Sequence, residues 1–66
     1  MYKFFVKENQ IEDGKITIKN DDVNHIKNVL RLGVGEQIEI SNSVTGESYS
    51  CEILEIRNNT VSCEVI

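Results

Sequence analysis

The residues best suited to chemistry in this 66-residue chain are a few positive side chains at helical spacing. Lys27 and Arg31 stand four residues apart in the segment His25–Arg31, so one face of a helix would carry both. A guanidinium with an ammonium beside it can bind phosphate oxygens, so this pair favours contact with a nucleic-acid backbone. The single histidine, His25, begins the same segment. The surrounding elements must therefore present these side chains on one surface.

The composition limits what else the chain can do. Lys+Arg number 7 and Asp+Glu number 11, giving a formal charge of −4, so weak nucleic-acid binding by the chain alone is expected. One histidine, no tryptophan and no glycine-rich loop leave little for catalysis, and we expect this segment alone not to be catalytic. No apolar run approaches the roughly 20 residues of a membrane span, and the N-terminal apolar stretch is too short for a signal peptide. Residues 1–66 are expected to form one globular, cytoplasmic domain without membrane contact.

The two cysteines, Cys51 and Cys63, are predicted to be small buried side chains. Asn58-Asn59 is typical of a tight turn between two strands, and closing that turn sets Leu54 opposite Cys63. Cys51 then lies further along its strand, roughly 10 Å away, beyond the ~7 Å that a disulfide spans between Cα atoms. A single histidine cannot complete a four-ligand zinc site with them, so no metal is expected.

A helix must position the positive pair. Asn20-Asp21-Asp22 offers cap-forming side chains and carboxylates at the positive end of a helix dipole, and Gly33 suits the left-handed conformation that ends helices. The spacing predicts a helix from about Asp21 to Leu32. The apolar stripe of this helix comprises Val23, Ile26, Val29 and Leu30. The opposite polar arc comprises Asn24, Lys27, Asn28 and Arg31, with His25 at the border.

Five segments rich in β-branched residues are predicted to be strands. Val and Ile supply 16 of the apolar residues, and these side chains fit a pleated sheet better than a helix. The predicted strands are Lys3–Val6, Lys15–Lys19, Gln37–Ser41, Ser48–Ile56 and Thr60–Ile66. We predict a mainly β (α+β) fold, a small, mostly antiparallel, curled β-barrel with one helix between the second and third strands. Because Ile66 ends the chain within a strand pattern, more protein is expected downstream.

The fourth predicted strand contains the signal of a bend. The apolar side chains expected to face inward alternate as Tyr49, Cys51 and Ile53, and the alternation then shifts by one residue to Leu54 and Ile56. Such a phase change is typical of a β-bulge, which curves a sheet. Pairing Ile40 with Tyr49, and Ile38 with Cys51, keeps the apolar side chains of neighbouring strands on one face.

Three segments together resemble a known family. They are Phe4-Phe5-Val6 in the first strand, His25-Ile26-Lys27-Asn28-Val29-Leu30-Arg31 on the helix, and Gly35-Glu36-Gln37-Ile38 at the next strand. In order and spacing the chain resembles the N-terminal domain of the RsmE family, methyltransferases that modify a uracil N3 in small-subunit ribosomal RNA. That family opens with an Arg-Phe-Phe-Val-like strand. Lys3 stands at the position of the arginine, keeping the charge without the bidentate fork.

The resemblance implies that residues 1–66 form a PUA-like RNA-binding barrel that positions small-subunit ribosomal RNA for a methyltransferase. It implies that S-adenosylmethionine, the catalytic groups and the homodimer contacts belong to a knotted SPOUT-class domain downstream, so no cofactor is expected to bind this segment. The candidate RNA-binding residues are Arg31, Lys27 and Lys3. His25 and Leu30 are expected to hold the helix against the barrel.

The residues leave two questions open. Arg31 could contact an RNA phosphate, or could act only as a cation that stabilises the last helical turn through the helix dipole. The resemblance favours the RNA contact. For the whole domain, the alternative is a non-catalytic β-barrel that binds another protein, and a downstream methyltransferase domain would distinguish the two.

Overall fold

The computed structural model describes residues 2–19 and 21–66, which form a sheet and a short helical segment. The strands are β1 (Lys3–Val6), β2 (Ile11–Glu12), β3 (Lys15–Lys19), β4 (Gln37–Asn42), β5 (Ser48–Ile56) and β6 (Thr60–Val65). A single-turn 3-10 helix (Glu8–Gln10) precedes β2. Between β3 and β4 lie α1 (Asp21–Asn24) and a π-helix (His25–Val29). The prediction of a mainly β fold with one helical segment in this position is confirmed.

The six strands form one mixed sheet in the order β1-β4-β5-β6-β3-β2, curled into a half-barrel. Neighbouring strands are antiparallel except β1 and β4, which run parallel. Strand β2, which the sequence pattern did not predict, pairs with β3 across a turn at Asp13-Gly14. Asp13 and Gly14 have φ of 49° and 74°, as the tight hairpin turn with two left-handed residues requires. This hairpin and the helical segment connect the parallel strands β1 and β4.

The predicted β-bulge in β5 is confirmed. The register between β5 and β6 shifts between Ile53 and Glu55, so Leu54 has no residue opposite. Cys63 therefore faces Ile53, and the predicted Leu54–Cys63 pair is wrong. Closing the turn at Asn58-Asn59 fixes the pairs only as far as the bulge, beyond which the extra residue moves the register by one.

The core lies between the inner face of the sheet and the helical segment. Two predicted cross-strand pairs, Ile38 with Cys51 and Ile40 with Tyr49, are confirmed and align the apolar faces of β4 and β5. The buried apolar residues are Phe4, Val6, Ile16, Ile18, Val23, Ile26, Ile38, Ile40, Cys51, Ile53, Val61 and Cys63. Most of this core is β-branched, which explains why the composition predicted a sheet.

Cys51 and Cys63 are free and fully buried, as predicted. Burial raises the pKa of the Cys51 thiol. Burial and, secondarily, the neighbouring Cys51 raise the pKa of Cys63 to about 12. Because the thiolate is the reactive form, both cysteines are expected to react slowly with alkylating reagents at neutral pH while the domain is folded.

The raised thiol pKa values predict a loss of stability at alkaline pH. In the unfolded chain these thiols ionise near their ordinary pKa of 9.0, whereas folded Cys63 stays protonated up to about 12. Deprotonation therefore favours the unfolded chain. The free energy of unfolding should be insensitive to these groups below about pH 8 and fall as pH rises through the interval between the two pKa values. Denaturant titrations over this range should show the fall, and Cys63→Ala should flatten it. An unchanged slope in the variant would contradict the prediction.

The helical segment widens after its first turn. The Leu30 N–H donates to the His25 carbonyl at 2.8 Å, and the Leu32 N–H donates to the Ile26 carbonyl at 2.9 Å. These bonds reach further back along the chain than the i→i−4 bonds of an α-helix. A π-helix holds more residues per turn than an α-helix. Successive side chains after His25 are therefore separated by a smaller rotation about the helix axis. The predicted continuous α-helix from Asp21 to Leu32 is therefore wrong in its second half.

The π-helix changes the predicted apolar stripe. Val23 and Ile26 are buried in the core, and Leu30 is half-buried against it. Val29, predicted to face inward, is 63% exposed. The prediction fails for Val29 because it assumed the 3.6-residue turn of an α-helix throughout.

The helix also ends differently from the prediction. Arg31, with φ of 53°, is the residue in the left-handed conformation, and the prediction that Gly33 takes this role is wrong. Turning the chain at Arg31 allows Leu32 to pack against the core, a contact that often accompanies such helix ends. The Gly33 N–H instead donates to a Glu36 carboxylate oxygen at 2.6 Å. Asn20, the first residue of the predicted helix start, lies outside the described residues.

Candidate nucleic-acid interface

Arg31 occupies a strained backbone position at the surface. Its left-handed φ of 53° is rare for a residue with a side chain and costs roughly 1–2 kcal/mol. The side chain is exposed, and no hydrogen bond or ion pair with another described residue holds the guanidinium. The turn at Arg31 serves the fold, because it brings Leu32 against the core, and it leaves the guanidinium exposed at the surface.

Lys27 faces the turn between β5 and β6. Its Nζ donates to the Arg57 carbonyl oxygen at 3.3 Å. Lys27 lines an open cleft of about 420 Å³, which we call the polar cleft. The polar cleft is lined by Lys19, Val23, Asn24, Lys27, Asn28, Asn58, Asn59 and Thr60. Arg31 is not part of its lining, so the structure does not place the predicted pair in one site.

Two asparagines of the polar cleft orient each other. The Asn28 Nδ2 donates to the Asn24 Oδ1 at 2.7 Å. This bond leaves the Asn24 amino group and the Asn28 carbonyl oxygen for a ligand, because each amide carries both donors and an acceptor. The predicted polar arc of the helix thus supplies three lining residues, Asn24, Lys27 and Asn28.

Lys3 lies on β1 and is already engaged by the protein. Its Nζ is 3.4 Å from a Glu39 carboxylate oxygen, where β4 runs beside β1. The same ammonium lies 5.5 Å from the centroid of the Phe5 ring. Because Glu39 offsets much of its charge, Lys3 is a weaker candidate for phosphate contact than Arg31.

His25 joins the helical segment to β1. Its ring meets Phe4 edge to face, with centroids 6.2 Å apart and planes at 86°. Both line a second opening of about 260 Å³, here called the aromatic cleft. The aromatic cleft is lined by Tyr2, Lys3, Phe4, Phe5, Asp22, His25 and Leu30. His25 and Leu30 therefore lie where a contact between the helix and the sheet is made, and their contribution to stability stays a prediction.

The structure divides the predicted site residues among three places. Lys27 lines the polar cleft, Lys3, His25 and Leu30 line the aromatic cleft, and Arg31 lies outside both linings. The sequence pattern placed Lys19 only at the end of a predicted strand and Asn58-Asn59 only at a turn between two strands, and it assigned neither to a binding site. These residues meet because β3 pairs with β6, setting Lys19 opposite Thr60. The alternating patterns predicted both strands, β3 and β6. They did not predict that these two strands lie next to each other in the sheet.

Two other kinds of site were considered within the described ranges 2–19 and 21–66. No group of three or more His, Cys, Asp and Glu side chains in these ranges is arranged to hold a metal ion. No helix in the same ranges has the length and apolar character to cross a membrane.

Comparison with known proteins places this fold in a family. The family model described as the RNA methyltransferase PUA domain matches residues 18–66. The chain therefore belongs to the RNA methyltransferase PUA domain family. The Ribosomal RNA small subunit methyltransferase E of Bacillus subtilis (strain 168) is 36% identical over 69 aligned residues, covering 100% of this chain and 27% of the relative. The resemblance to the RsmE family is confirmed, and the chain spans about a quarter of that relative's length.

Two crystal structures share the fold. One, described as a predicted RNA methyltransferase from Thermotoga maritima, matches with a TM-score of 0.85 at 21% identity, over 100% of this chain and 28% of that one. The other is a Ribosomal RNA small subunit methyltransferase E from Neisseria gonorrhoeae bound to S-adenosyl methionine. It matches with a TM-score of 0.78 at 22% identity, over 98% of this chain and 26% of that one. At these identities the likeness establishes the fold alone.

Proposed function

We propose that this chain is the RNA-positioning domain of an enzyme that transfers a methyl group from S-adenosylmethionine to a uracil N3 of small-subunit ribosomal RNA. The observation that carries the proposal is the family-model match over residues 18–66, which include both Arg31 and the lining of the polar cleft. The name of the Bacillus subtilis relative supports small-subunit ribosomal RNA as the substrate. Uracil N3 as the methylated atom follows from the RsmE resemblance.

The proposed RNA contacts differ in strength among the three candidate residues. Arg31 supplies an exposed guanidinium that can bind a phosphate with two parallel hydrogen bonds. Lys27 supplies an ammonium as a point charge at the polar cleft. Lys3, which is paired with Glu39, contributes least. Because the net charge is −4, this domain orients the RNA while the rest of the enzyme supplies most of the affinity.

The methyl-transfer chemistry is assigned to the rest of the enzyme. Because the chain spans 27% of its Bacillus subtilis relative, most of such an enzyme lies outside residues 1–66. The Neisseria gonorrhoeae protein binds S-adenosyl methionine, which supports this cofactor for the full-length protein. We assign the cofactor site, the catalytic groups and the homodimer contacts to the remaining part, and the cytoplasm as the place of action. No residue of this chain is assigned to the cofactor.

The full-length enzyme tests the proposed function directly. Incubated with small-subunit ribosomal RNA and S-adenosylmethionine, it should yield uridine methylated at N3, detected by mass spectrometry of the RNA nucleosides. A matched protein without residues 1–66 should still bind S-adenosylmethionine but methylate the RNA much more slowly, because the RNA is no longer positioned. Unmodified uridine from a full-length enzyme that binds its cofactor would overturn the assignment.

A further inference from the structure

We propose that the polar cleft binds one nucleotide of single-stranded RNA, with the phosphate on Lys19 and Lys27 and the base edge on the asparagine amides. The inference rests on the proposed function, since that function makes RNA the ligand, and it goes further by naming the subsite and the strand form. The polar cleft, about 420 Å³, falls within the size range of small-ligand sites. Its lining combines the helical segment, the end of β3 and the β5–β6 turn.

The charges around the polar cleft favour an anion. Its lining includes Lys19 and Lys27 and none of the carboxylates of residues 2–19 and 21–66, although the whole chain has a net charge of −4. Lys19 also lines two neighbouring openings, one that contains Asp21 and Asp22 and one that contains Glu12 and Asp13. Within the described ranges, however, neither lysine forms an ion pair, because no carboxylate oxygen lies within 4.0 Å of either ammonium nitrogen. Both ammonium groups are therefore able to neutralise a phosphate.

The position of Lys27 suits this role. Its hydrogen bond to the Arg57 carbonyl oxygen, at 3.3 Å, directs the ammonium toward the β5–β6 turn. An ammonium has three donors, so two remain for phosphate oxygens. Holding the side chain in place beforehand lowers the entropy that binding would otherwise cost.

The amides of the polar cleft suit a nucleobase. The Asn24–Asn28 hydrogen bond of 2.7 Å leaves one amino group and one carbonyl oxygen directed to a ligand. Asn58 and Asn59 add further amides from the opposite side. An amide presents a donor beside an acceptor, as the Watson–Crick edge of a base does. That edge is accessible in single-stranded RNA but paired in a duplex, so the polar cleft favours a single strand.

The salt dependence of RNA binding tests the phosphate contact. The full-length enzyme should be titrated with fluorescently labelled oligouridine at several salt concentrations. Lys19→Gln and Lys27→Gln should each weaken binding and reduce the slope of log K against log salt by roughly 0.7 to 1 unit. Lys15→Gln is the matched control, because Lys15 is also exposed on β3 but does not line the polar cleft. It should leave the slope close to that of the unchanged protein.

A second variant tests the base contact independently of charge. Asn28→Ala removes a neutral amide, so it should weaken oligouridine binding about 2- to 10-fold while leaving the salt slope unchanged. Asn9→Ala is the control, because Asn9 is exposed and does not line the polar cleft. Duplex RNA should bind equally well to the Asn28→Ala variant and to the unchanged enzyme.

The outcomes separate this inference from the proposed function. If Lys19→Gln and Lys27→Gln behave like Lys15→Gln while N3-methylated uridine is still produced, the polar-cleft inference is wrong and the proposed function stands. If Asn28→Ala weakens duplex and single-stranded RNA equally, the assignment of a base-reading site is wrong. If the unchanged full-length enzyme binds no RNA, the proposed function fails and the inference fails with it.

Discussion

Replacing Ile26 with alanine is expected to lower the free energy of unfolding by about 2–5 kcal/mol. Ile26 is fully buried where the π-helix meets the sheet, so the truncated side chain leaves a cavity that the close-packed surroundings fill only in part. The total stability of a domain of this size is roughly 3–10 kcal/mol, so the substitution removes a large share of it. Denaturant unfolding followed by circular dichroism measures the change.

Two neighbouring substitutions provide controls for the π-helix. Val29→Ala should change stability by less than about 0.5 kcal/mol, because Val29 is 63% exposed. Leu30→Ala should have an intermediate effect, because Leu30 is half-buried against the core. A regular α-helix would bury Val29 and make its replacement costly. A large loss of stability in Val29→Ala with little loss in Ile26→Ala would therefore contradict the π-helical structure.

Replacing Arg31 with glutamine is expected to weaken RNA binding by the full-length enzyme while leaving folding nearly unchanged. The exposed guanidinium makes no hydrogen bond or ion pair with the described residues, so stability should change by no more than about 0.5 kcal/mol. Losing one phosphate contact should reduce the salt slope of binding by about one unit. Affinity titrations at several salt concentrations and thermal melts of the same protein measure both effects.

Arg31→Gly separates the two interpretations of this residue. Glycine adopts the left-handed conformation without strain, so the variant should be up to about 1 kcal/mol more stable than the unchanged protein, yet bind RNA as weakly as Arg31→Gln. If Arg31 served only the helix dipole, Arg31→Gln would melt lower, and both variants would bind RNA normally through their folded fraction. That result would assign Arg31 a structural role and remove it from the RNA interface.

Five of the six strands and the register of β4 with β5 follow from the sequence alone. Alternation in the segment Lys15–Lys19 and β-branched composition predict strands because a pleated backbone places every second side chain in the core. The Ile38–Cys51 and Ile40–Tyr49 pairs follow from keeping apolar side chains on one face. The Asp13-Gly14 turn follows from residues that tolerate positive φ. These signals are local, so neighbouring residues suffice to read them.

The path of the helical segment was decided by tertiary packing. The sequence pattern placed Val29 in the core and ended the helix at Gly33, both on the assumption of regular α-helical turns. In the structure the segment widens into a π-helix and reverses at Arg31, which brings Ile26 and Leu32 to the sheet. Packing of the helical segment against the curled sheet outweighs the local preference for glycine at a left-handed position. This packing depends on residues that are distant in the sequence, so a local sequence pattern does not predict it.

The polar cleft depends in the same way on contacts between distant segments. The residue types were visible in the sequence, with Lys27 and Asn28 on the predicted polar arc and Lys19 ending a strand. Their meeting with the Asn58-Asn59 turn required the pairing of β3 with β6, which joins segments about 40 residues apart in the chain. The sequence by itself determined the chemical types of the side chains available to bind a nucleic acid. Only the tertiary structure decided which of them share one surface, because alternation orients a strand's faces but does not specify its neighbours.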